Sequence, residues 1–148
     1  MSITWIVSAN RTLASIYQSN GIGQKWTLLK SIDHPEGKLK NSEMTSDVGG
    51  RNNTAAGQGS RPAVLWSTSP HEADANLFAR IIGKELAEGR THQRYDRFVL
   101  VAPPEFLGKL RESLDARVHE KILETIAKDY SGLSMEEIRE KVNGIVLV

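Results

Sequence analysis

The residues best suited to chemistry in this sequence cluster between Asp47 and Arg61. Gly49-Gly50 and Gly57-Gln58-Gly59 offer backbone amides free of side-chain bulk, and Asp47, Arg51 and Arg61 add charge on either side. Amides of this kind approach a phosphate closely, and guanidinium groups then pair with its oxygens. The composition of the surrounding stretch gives a plainer reading. From Asp33 to about Arg61 Gly, Asn, Ser, Thr and Ala dominate, large apolar residues are few, and a long flexible loop at about 33–62 is expected. The nucleotide-binding string Gly-x-x-x-x-Gly-Lys-Ser/Thr does not occur.

Other chemistries fare worse. The chain has no cysteine, which removes disulfides, thiolate nucleophiles and cysteine-ligated zinc. Its histidines, His34, His71, His92 and His119, never fall at the His-x-x-x-His spacing of a helical metal site. A two-metal nuclease needs carboxylates gathered at strand ends. The expected strand Ile3–Ser8 carries none. The strand Phe98–Ala102 carries none either, with Asp96 before it, and Asp129 stands alone after the last candidate strand. No Gly-x-Ser-x-Gly elbow marks a serine nucleophile. A metal-dependent hydrolase is therefore the weakest functional class, and no metal or cofactor is implied.

Length and charge set wider bounds. At 148 residues the chain is expected to form one domain with a sizeable core. Its net charge of +1 hides a mild asymmetry. Residues 1–69 hold seven Lys/Arg against four Asp/Glu, and residues 70–148 hold twelve against fourteen. That difference is too small to define a basic face. No apolar run approaches the ~20 residues of a membrane helix and no charged, apolar leader opens the chain, so no membrane insertion and a cytoplasmic location are expected.

The elements that must position any site follow from periodicity. Ile3–Ser8, Leu13–Tyr17 and Trp26–Ile32 read as short strands joined by polar turns, an antiparallel meander. Ser69-Pro70-His71-Glu72 fits a capping box with proline at the first helical position. Ala73, Leu77, Phe78, Ile81, Ile82 and Leu86 then form a helical stripe, and Gly89 is the expected stop. Phe98–Ala102 is apolar without alternation, as a strand covered on both faces would be. Pro103-Pro104 most simply ends it and starts a helix; the pair could also shape a cleft at the carboxyl end of the strand, where open α/β sheets often bind ligands. The helix is expected to run on through Phe106, Leu107, Leu110, Leu114 and Val118. Residues 122–130 read as a strand, and the pairs Ser134/Glu137 and Leu133/Ile138 predict a capped, stapled helix from Met135 to about Val142. Residues 145–148 form an apolar tail. The order βββαβαβα predicts a three-layer α/β fold: a mixed five-stranded sheet with helices on both faces, in ribonuclease H-like order.

Four strings together resemble the bacterial host-attachment protein family, whose members are described as required for attachment to host cells. Trp5-Ile-Val-Ser-Ala-Asn-Arg-Thr-Leu-Ala-Ser-Ile-Tyr17 is similar to its opening hairpin, and Ser46-Asp-Val-Gly-Gly-Arg51 to its glycine-arginine loop. Leu100-Val-Ala-Pro-Pro-Glu-Phe-Leu-Gly-Lys-Leu-Arg111 is the most specific string, and Lys128-Asp-Tyr-Ser131 follows it. The likeness runs from about Thr4 to Val142. It departs at Asn10, where many members carry aspartate. The resemblance implies a role in attachment through a host or cellular partner but no particular molecular activity; with no catalytic pattern in the residues, a non-enzymatic protein is expected. The family in turn resembles the middle domain of the eukaryotic peptide-chain release factor, which carries a Gly-Gly-Gln loop before its long helix. Gly57-Gln58-Gly59 occupies the matching gap, with Ala56 in place of the first glycine. That likeness implies an alternative role on RNA or the ribosome, with Gln58 orienting a water.

Overall fold

The computed structural model describes residues 2–33 and 70–148. Asp47, Gly49, Gly50, Arg51, Gly57, Gln58, Gly59 and Arg61 all lie outside the described residues, as do Ser69 and Trp66.

Among the described residues, five strands form one open mixed sheet. β1 (Thr4–Ala9), β2 (Leu13–Ser19) and β3 (Thr27–Asp33) pair antiparallel in sequence. β4 (Arg97–Val101) and β5 (Ile122–Ile126) add parallel to the other side of β1, giving the order β3-β2-β1-β4-β5. The described helices are α1 (Pro70–Thr91), α2 (Pro104–Glu112), α3 (Ala116–His119) and α4 (Met135–Asn143).

The central strands explain their own sequences. In β1, Trp5, Val7 and Ala9 face one core and Ile6 faces the other. In and just after β4, Phe98, Leu100 and Ala102 face the first, Val99 and Val101 the second. Both faces are covered, so neither strand alternates polar with apolar. The first core receives Phe78, Ile82 and Leu86 of α1, Phe106 and Leu110 of α2, and Val118 of α3. The second receives Ile138 and Val142 of α4, with Tyr17, Trp26 and the terminal Val148. The apolar tail is thus tied down at its last residue, where the Val148 amide donates to Asn143 Oδ1 at 3.1 Å.

Three expectations need correction. The buried line of α1 is Ala75, Phe78, Ala79, Ile82 and Leu86, whereas Leu77 and Ile81 are exposed. They sit one position off the buried line, on its flank. Gly89 does not stop the helix, which continues to Thr91. Its missing side chain serves packing instead: a Cβ there would lie 2.7 Å from the Trp5 ring and 2.9 Å from that of Tyr95.

The helix expected from Pro104 through Val118 is in fact two. Ser113 ends α2, with its hydroxyl donating to Leu110 O at 2.7 Å and to Ala79 O of α1 at 3.0 Å. Gly83 of α1 gives that turn room, since a Cβ would stand 3.0 Å from Ser113 Oγ. Asp115 then caps α3 by accepting from the Val118 amide at 2.8 Å. Apolar spacing was continuous across the break because Leu114 and Val118 stay buried on both sides of it.

Candidate ligand-binding cleft

Because β1, β4 and β5 run parallel, in register Ser8↔Val101 and Val101↔Ile126, their carboxyl ends leave the sheet along one edge. Three chain segments meet there around a cleft of about 580 Å³: residues 10–12, residues 103–106, and Asp129. That volume lies in the range of small-ligand sites.

Each segment is held by its own chemistry. The β1–β2 turn is built on Asn10. Its Oδ1 accepts from the Thr12 amide at 2.9 Å, the Thr12 hydroxyl at 3.1 Å and the Leu13 amide at 2.9 Å. Its Nδ2 donates to Ser131 Oγ at 2.8 Å, tying this turn to the segment after β5. Ser131 in turn donates its hydroxyl (2.6 Å) and its amide (3.0 Å) to Asp129 Oδ1. On the opposite wall Pro103 precedes a second proline and is held extended, at φ −58° and ψ 151°. Pro104 then opens α2 where a missing N–H costs nothing. Phe106 is buried behind them.

Electrostatics separate the two carboxylates of the cleft. Burial alone would raise the Asp129 carboxyl, but the Ser131 hydroxyl and amide and the Asn10 amide donate to its charged form and hold it below the ordinary aspartate value. A general base works best near the operating pH, so Asp129 is a poor one. Glu105 is largely exposed in the first turn of α2, its Oε2 3.8 Å from Arg11 Nη2. Arg11 Nη1 is shut off from solvent and meets no hydrogen-bond acceptor among the described residues.

No group of three His, Cys, Asp or Glu side chains among the described residues is placed to hold a metal. His119 is outside the cleft, with its Nε2 3.1 Å from Arg111 O. Asp96 precedes β4 and Asp129 follows β5, so they lie at opposite ends of the parallel strands, and Asp96 Oδ2 accepts from the Ile3 amide at 2.7 Å. Trp5 and Trp26 are buried core residues. The sequence had suggested the Asp47–Arg61 loop as the site, with the Pro103-Pro104 end as a second place for a ligand; it left Asp129 as a lone acid and gave no role to Arg11 or Thr12. The signal for them was their place immediately after β1, the parallel neighbour of the Pro-Pro strand.

The fold is that of an open α/β protein with a cleft at the carboxyl ends of its parallel strands. The chain belongs to the family described as "Protein required for attachment to host cells", which it matches over residues 5–142. No curated protein matches the sequence. Among solved structures it is similar to one described as "Archaeal protein", at 15% identity and a TM-score of 0.50 over 97% of this chain. The chain spans only 34% of that protein's length, and the likeness is one of fold alone.

Proposed function

We propose that the protein is a non-enzymatic member of the attachment family that supports bacterial attachment to host cells by binding a partner at the cleft between residues 10–12, 103–106 and Asp129. The observation that carries the binding reading is the state of Asp129. Its carboxylate is already engaged by Ser131 and Asn10 and held in the charged form, which suits recognition better than proton transfer. Membership of the family supports the attachment role. Deleting the gene is expected to lower adhesion to host cells, and supplying the wild-type gene to restore it. Unchanged adhesion in the deletion strain would overturn the role.

The expected ribonuclease H-like order belongs to this proposal, supported by the strand order β3-β2-β1-β4-β5, and carries no activity with it. So does the cytoplasmic location. No described helix is long and apolar enough to cross a membrane, and recovery of the protein in the envelope fraction would overturn that location. A second reading, contact with RNA or the ribosome, has its support in the string Gly57-Gln58-Gly59 with Arg51 and Arg61. It predicts salt-sensitive co-sedimentation with ribosomes that weakens when both arginines become alanine.

A further inference from the structure

The chemistry of the cleft narrows its ligand, an inference that rests on the binding reading above. Arg11 lines the cleft, with its Nη1 shut off from solvent and without an acceptor among the described residues. Buried guanidinium donors in folded proteins are almost always satisfied, and a planar oxyanion matches their fork. The other terminal nitrogen faces Glu105 at 3.8 Å, beyond hydrogen-bond range, and the Glu105 side chain is 87% exposed. An ion pair so exposed is weak and readily exchanged. Glu105 thus marks where a carboxylate belongs without filling the place.

The remaining walls say what the carboxylate is attached to. Pro103, Pro104 and Phe106 give the cleft an apolar side. Asp129 and Glu105 border the same space, so among the described lining residues one cation, Arg11, faces two carboxylates. A polyanion, such as a nucleic-acid strand, would bring several charges against that balance and be repelled. A single charge on an apolar body meets no such penalty once Glu105 swings out to solvent.

We propose that the cleft binds an organic monocarboxylate with an apolar body, the carboxylate taken by the Arg11 guanidinium in place of Glu105 and the body lying on Pro103 and Pro104, with Phe106 behind them.

The test is an NMR titration of the full chain with benzoate, benzyl alcohol and inorganic phosphate as separate probes. Benzoate is expected to shift the Arg11 side-chain and the Thr12 and Phe106 amide signals saturably, while benzyl alcohol and phosphate do not. Arg11→Lys keeps the charge but loses the fork, and should weaken benzoate about tenfold. Glu105→Gln, at an exposed position, removes the internal competitor and should tighten benzoate about threefold. Absence of saturable benzoate shifts at these signals, equal binding of benzyl alcohol, tighter binding of phosphate, or weaker benzoate binding by Glu105→Gln would each overturn the proposal. If deletion lowers adhesion while benzoate does not bind, the ligand class falls and the attachment role stands. If benzoate binds while deletion leaves adhesion unchanged, the reverse holds.

Discussion

One amide side chain, that of Asn10, joins the two sides of the cleft edge. Its oxygen organises the turn after β1 and its nitrogen reaches the segment after β5 through Ser131. The choice of asparagine matters, because a carboxylate keeps the acceptor and loses the donor. Asn10→Asp would also set a second negative charge beside Asp129. The Asp129 pKa is therefore expected to rise from its depressed value, measured by a carboxyl NMR titration. An unchanged value would show that Asn10 does not act on it. The sign carries to stability. A carboxyl depressed in the folded state stabilises above its unfolded value of about 3.9 and loses that contribution as pH falls through the folded value. Asn10→Asp should therefore shrink the difference between stability at neutral pH and in acid. As a sequence, Asn10-Arg-Thr12 reads only as a turn. The partner of the Asn10 Nδ2, Ser131, is 121 residues away along the chain, and no local pattern reveals such a pairing.

At the scale of elements, much was legible where a local rule acts. The Ser134–Glu137 capping box of α4 forms as expected: Glu137 Oε1 accepts from the Ser134 amide at 2.9 Å and Ser134 Oγ from the Glu137 amide at 3.2 Å. Pro104 starts α2, and the strand after Glu120 is present as Ile122–Ile126. What misled was punctuation set by tertiary packing. Gly89 resembles a helix stop, yet its role is to admit the Trp5 and Tyr95 rings against the helix backbone. Gly89→Ala separates the two readings. Helix propensity alone would stabilise by about 1 kcal/mol. Overpacking against two core rings is expected to cost roughly 1–3 kcal/mol and to prevail, lowering the Tm. A raised Tm would mean the rings give way freely. The break at Ser113 was illegible for a similar reason, since it depends on Ala79 and Gly83 of another helix.

At the scale of the whole molecule, two cores lie on the two faces of one sheet, and the carboxyl edge between them carries the cleft. The first core has its own reporter. Tyr95 packs at a tilt against Trp5, with centroids 4.7 Å apart, and donates its hydroxyl to Leu86 O at 2.6 Å. Burial pushes its phenol up to about 12, with Asp115 adding to the rise and Arg90 opposing it. A raised folded value means that stability is full below the unfolded value of about 10 and declines as pH climbs from there through the folded one. A spectrophotometric titration should show a late-ionising tyrosine, and Tyr95→Phe should remove that late step. Ionisation of every tyrosine near the ordinary value would show that the core is open to solvent. The fold class was readable because unbroken apolar strands, caps and proline positions each obey local physics. The cleft was readable only in part, because it is assembled from three strand ends that the parallel register alone brings together.

The attachment role is proposed to run through this cleft. The most direct measurement is adhesion to host cells by a deletion strain supplied with either the wild-type gene or the Arg11→Gln variant at equal protein levels. Adhesion with the variant is predicted to stay at the level of the deletion strain while the folded protein accumulates normally. Full restoration of adhesion by Arg11→Gln would contradict the account.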